Sequence, residues 1–193
     1  MAQEARLRIS VGEGWRLREF GMLLELVDRC YFRLAILSAP QFKHERLASI
    51  IEDIPERELS FSVAASVSRR LFSRARAEIG ELGLERIQIA SPGLFELAAD
   101  ATIAGLMVQI FTLLRGTFRG RSRRSTEREA ISAIREIARQ GIDASSQNPA
   151  IAEVIERMVR GAAIELAHVA MEKRVTDIQV VDSTSDPGTA RQS

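Results

Sequence analysis

A single cysteine, two histidines and two lysines (Lys43 and Lys173) are all that 193 residues supply of three side chains enzymes commonly recruit. Cys30 alone cannot form an intramolecular disulfide, and one thiol fits most naturally in a reducing compartment. A Ser-His-Asp triad would have to use His44 or His168, and no spacing singles out either. The G-x-S-x-G elbow and the phosphate-cradling G-x-x-x-x-G-K-[S/T] loop are also missing. The nearest approach to a dinucleotide fingerprint, Gly12-Glu13-Gly14, lacks the third glycine and sets a charge between the other two. The net charge is +1, from 27 basic and 26 acidic residues, so no overall field draws the chain to nucleic acid or a membrane. No apolar run reaches the roughly 20 residues of a spanning helix. The opening MAQEARLRIS lacks the cationic patch and apolar stretch of a secretory signal. These absences point to a cytoplasmic protein with no assignable catalytic, cofactor-binding or metal-binding residue.

What is present is material for a core. With 46% hydrophobic residues, a chain of this length can bury roughly two thirds of its unfolded surface without disulfide or metal. The expected organisation is one α+β domain over residues 1–182, followed by a polar, aperiodic, disordered tail over 183–193. The basic residues other than the two lysines are all arginine. Arginine grips phosphates and carboxylates bidentately, but a GC-rich bacterial genome produces the same excess, so abundance alone assigns nothing.

Arg6 to Val11 alternates as a half-buried strand does, and Gly12 and Gly14 end it. From Leu17 the period becomes helical: Leu17, Phe20, Leu24, Val27, Tyr31 and Leu34 line one face, predicting a helix to about Leu37, ahead of Pro40. A short helix over 42–51, a strand over 59–63 and a helix over 64–82 follow. Leu84 to Ala90 alternates, Ser91-Pro92-Gly93 supplies a turn, and Leu94 to Leu97 continues, which reads as a hairpin or a looser strand–loop–strand. Ala98 to Leu114 is the most apolar stretch. Thr126 and Glu129 have the spacing of a capping box for a helix that leaves at Gly141, and Asn148-Pro149 opens the last long helix. Its buried face is Ile151, Val154, Ile155, Met158, Val159, Ala162, Leu166 and Val169, and a final strand is expected over 175–180. The sum is a helix-rich α+β fold: a small sheet with strands near 6–11, 84–90 and 94–97, with 59–63 and 175–180 as further candidates, packed against about five helices.

Glu165 and His168 form an E-x-x-H pair on one helix face, half of what dinuclear carboxylate sites use. His44 is preceded three positions earlier by Gln41, so the second half is missing, and a surface histidine beside helical glutamates is the ordinary explanation. Cys30, beside the apolar stripe of the first helix, reads as a small core residue. Two features stand above this background. Arg115, Arg119, Arg121, Arg123 and Arg124 lie within ten residues with no acid among them, a candidate contact for nucleic acid, anionic lipid or an acidic partner, or else a solvated linker. The uncharged run Ala101 to Leu114 is a buried helix, a surface covered by a second copy, or a membrane-associated segment.

Arg86 to Leu97, with Ser91-Pro92-Gly93 at its centre and an apolar helix after it, resembles a segment of uncharacterised bacterial α+β proteins, many actinobacterial. That resemblance implies a bacterial origin and carries no activity, cofactor or site residue with it. The expectation from the sequence is a non-catalytic interaction or assembly protein that self-associates, with nucleic-acid binding through 115–124 or membrane association through the apolar helix at 98–114 as alternatives. No small-molecule substrate is implied.

Overall fold

The computed structural model describes residues 4–38, 73, 76, 77, 82–88, 93–117, 123–141 and 149–182. In chain order these form β1 (Glu4–Val11), α1 (Leu17–Ser38), β2 (Gly83–Gln88), β3 (Gly93–Asp100), α2 (Ala101–Thr117), α3 (Arg123–Gly141), α4 (Pro149–Met171) and β4 (Val175–Asp182). The α+β class holds, with four helices among the described residues. The expected helix over 42–51, the strand over 59–63, the Ser91-Pro92 turn and the tail over 183–193 lie outside the described residues. Of the expected helix over 64–82, Ser73, Arg76 and Ala77 are helical. Arg76 fastens that segment to α1, pairing with Asp28 at 2.5 Å and lying over the ring of Phe32.

The sheet runs β2-β3-β1-β4, every neighbour antiparallel. β1 and β2 flank β3, while β3 and β4 flank β1, an elaborated split β-α-β arrangement with three helices between β3 and β4. The two-residue period of β1 decides its sidedness. Ala5, Leu7, Ile9 and Val11 are buried against the helices, whereas Arg6, Arg8 and Ser10 face the other side. Leu97 and Phe95 stand beside Leu7 and Ile9 in the register and extend the same apolar face. On the opposite face Glu96 is only 3% exposed, and there Arg8 reaches it at 2.6 Å.

α2 packs on β1, β3 and β4 and also against the other three helices. It lies between sheet and bundle, where Ile103, Ala104, Met107, Ile110, Phe111 and Leu114 are buried, while Thr102, Gln109, Thr112 and Leu113 are exposed on its remaining side. α1 reaches the sheet through Phe20, whose ring meets Phe95 edge-on, and through Tyr31, whose hydroxyl accepts from the Asp100 amide at 2.8 Å. α4 presents the face read from its sequence, with Val154, Met158, Val159, Ala162, Leu166 and Val169 buried and Ile155 half-buried.

Two boundaries differ from the sequence reading. The apolar stretch starting at Ala98 is strand as far as Asp100, because β3 keeps its pairing with β1 down to Asp100 opposite Glu4. The helix begins only at Ala101, where Asp100 Oδ1 accepts from the amides of Thr102 (2.9 Å) and Ile103 (3.2 Å). α3 starts at Arg123 rather than Thr126, so Thr126 is a buried residue of the first turn and not its cap. Arginine is a strong helix former and nothing in Arg123-Arg124-Ser125 stops the helix from winding back one turn.

Asp100 thus closes β3 and opens α2 at once. Asp100→Ala is expected to lower stability by about 1 kcal/mol, and Asp100→Asn, an equally good cap, to retain most of it. Urea midpoints of the two variants check this.

Candidate functional site

The five arginines do not form one loop. Arg115 lies in the last turn of α2 and Arg123 and Arg124 in the first turn of α3; Arg119 and Arg121 fall outside the described residues. Arg115 is committed to the fold. Its Nη1 donates to the carbonyls of Val175 (2.5 Å) and Thr176 (2.8 Å), and its guanidinium lies over the Phe111 ring. An open cleft of about 640 Å³ adjoins it, lined by Thr112, Lys173 and Asp177 among others. Asp177 sets a carboxylate among those cations, so the cleft is not a purpose-built anion site. Arg124 is exposed.

The E-x-x-H pair is likewise divided. Glu165 is 8% exposed and turned toward α1, where Arg33 pairs with it at 2.5 Å and Arg29 at 3.6 Å, while His168 is exposed. Burial pushes the Glu165 carboxyl above its ordinary range, against the pull of Arg33. Arg33 reaches it by lying flat on α4 at Gly161, where any Cβ would overlap the guanidinium. Cys30 is buried beside this pair with Sγ 3.8 Å from the Ala162 carbonyl, and burial followed by the nearby Glu165 charge raises its pKa, the reverse of a reactive thiolate. Among the described residues no three His, Cys, Asp or Glu side chains converge on a point that could hold a metal.

Arg174 organises the far end of the sheet. It bridges Glu19 and Glu172, each at 2.9 Å, donates to the Gly14 carbonyl and covers the Trp15 ring at 4.3 Å. Its hydrogen bonds hold the carboxyls of both Glu19 and Glu172 below their ordinary values. This is a clamp between the β1–α1 turn and the α4–β4 turn.

The remaining distinctive surface is the outer edge of the sheet at β2. Leu84 is 48% and Ile87 49% exposed, although the register places them beside Leu97 and Phe95 on the apolar side. A β-bulge between Leu84 and Arg86 inserts Glu85. Glu85 pairs with Arg6 at 2.5 Å and Arg86 stands opposite Glu96, so both charges lie on the open face. Among the described residues no hydrogen bond covers the outer edge of β2. The reading of a plain alternation from Leu84 to Ala90 missed this bulge, although the adjacent Glu85 and Arg86 interrupt the alternation. Neither family models, nor curated proteins, nor solved structures yield a match to this chain.

The lowered carboxyls make Arg174 testable by pH. A carboxylate whose folded pKa is depressed contributes stability above its unfolded pKa and loses it as pH falls. Stability is therefore expected to fall as pH drops from about 5 to 3, with a shallower fall in Arg174→Ala, where Glu19 and Glu172 return toward the ordinary carboxylate range. Denaturant midpoints taken across that range for both proteins check it.

Proposed function

We propose that this chain is a non-catalytic, self-associating assembly protein of the bacterial cytoplasm, and that its contact surface is the sheet edge at β2 rather than the apolar helix. The observation that carries the reading is the pair of half-exposed aliphatic side chains, Leu84 and Ile87, on a strand that forms the edge of the sheet among the described residues. Such an edge is a template for another strand, and the bulge and two charges it carries, devices that blunt unselective pairing, limit it to a strand of complementary pattern. β4, the opposite edge, begins under the guanidinium of Arg115.

The alternatives lose much of their support. The segment raised as a membrane-inserting helix spends most of its apolar side chains on the core, with Leu113 the large one left exposed, and among the described residues no helix is long and apolar enough to cross a membrane. Nucleic-acid binding through 115–124 loses Arg115 to backbone carbonyls, and none of the residues placed by register on the open sheet face, such as Leu94, Ala98 and Val181, is an aromatic on which bases could stack. Arg124 keeps an exposed charge for that role.

Light scattering on the purified protein at tens of micromolar, with an absorbance ratio recorded at low and moderate salt, tests the reading. A defined oligomer free of nucleic acid is expected. A strict monomer, or a monomer releasing nucleic acid as salt rises, overturns it.

A further inference from the structure

Resting on that self-association, we propose that two copies join by antiparallel pairing of their β2 strands about a two-fold axis between Glu85 and Arg86, which makes one continuous eight-stranded sheet. The bulge is what makes this strand self-complementary. In a regular strand Leu84 and Ile87, three residues apart, would point to opposite faces. The inserted residue puts both on the helix-covered side and puts Glu85 and Arg86 together on the open side. Read from either end, the strand is then apolar, charged, charged, apolar. An antiparallel copy places Leu84 against Ile87 of the second copy and Glu85 against Arg86 of the second copy, twice over.

Each pair has the partner it needs. Leu84 and Ile87 are about half exposed in one copy, and they flank Leu97 and Phe95, so their contact across the axis continues the apolar layer beneath the sheet. Glu85 pairs with Arg6 through Oε2, and its side chain stays 39% exposed and so within reach of the guanidinium from the second copy. Directly opposed unlike charges support a strand pair and like charges oppose it. The other edge fails this requirement: β4 reads VTDIQVVD, with two acids and no base, so no pairing of two β4 edges joins opposite charges. A six-residue edge buries less than the about 1,600 Å² of a standard interface, so the dimer belongs to the weak, concentration-dependent kind.

Sedimentation velocity across a concentration series is the test, on the full chain as wild type, Glu85→Arg, Arg86→Glu, and an equimolar mixture of those two. Each variant alone opposes like charges twice and is expected to dimerise at least about tenfold more weakly. The mixture opposes unlike charges twice and recovers wild-type dimerisation, which misfolded variants cannot do. A second readout is specific to the register. The double variant Leu84→Cys/Ile87→Cys crosslinks into a covalent dimer on oxidation, and neither single variant does. Within one strand those two positions are roughly 10 Å apart, too far for a disulfide. If the wild type dimerises but the charge variants match it and the double cysteine does not crosslink, this pairing is wrong and self-association stands. If the wild type is monomeric throughout, both fail.

Discussion

The structure depends on one requirement, that the helix after β3 be held between two apolar surfaces. α2 buries Ile103, Ala104, Met107, Ile110, Phe111 and Leu114 and leaves a strip at Thr102, Gln109, Thr112 and Leu113 to water, so it needs cover on two sides. The sheet supplies one through Leu7, Ile9, Phe95, Leu97 and Ile178, and the other helices supply the second. Neither surface exists until distant parts of the chain meet. The ends of the helix are fixed with matching economy: Asp100 caps its first turn, and Arg115 ties its last turn to the start of β4.

Around that centre ion pairs join the elements to one another. Arg33 and Glu165 join α1 to α4, Arg135 and Glu156 join α3 to α4, and Arg174 joins the two turns at the end of the sheet. The arginine excess of the sequence, open to two readings in composition, is used here in a way lysine could not copy. Arg174 makes contacts with two carboxylates, a carbonyl and an aromatic ring from one planar group. Arg33 needs a flat head to lie on the helix backbone at Gly161.

Most of the element order was legible because it rests on periodicity. The alternation of β1, the three-and-four spacing of α1 and α4, and the paired strands β2 and β3 were each written in a single local pattern. What was not legible depended on contacts far along the chain. Nothing near Arg115 says that its hydrogen-bond partners lie some sixty residues on, so it read as part of a free basic segment. Glu165 and His168 share a helix face by spacing, yet one faces arginines of α1 and the other solvent, and only the packing of α1 decides which. The boundary at Asp100 was missed because Ala98 and Ala99 suit strand and helix alike, and the pairing with Glu4 and Ala5 settles it. The β2 edge lay between these cases. Its strand was read, but as a plain alternation; the adjacent Glu85 and Arg86 mark a bulge only once the register with β3 is known.

The place of β1 in the sheet has a consequence for the order in which the molecule can be completed during synthesis. β1 is made before both of its neighbours, which come roughly ninety and one hundred and seventy residues later. While the chain emerges, one side of β1 waits for β3 and the other for β4, so a central strand is a bare edge until both have been made. Such late closure is slow, and it leaves apolar strand surface open to other chains in the meantime. Arg6 and Arg8, alternating with Leu7 and Ile9, put two positive charges on that waiting strand. The residues that later hold Glu85 and Glu96 would thus first serve to keep nascent copies of the chain apart.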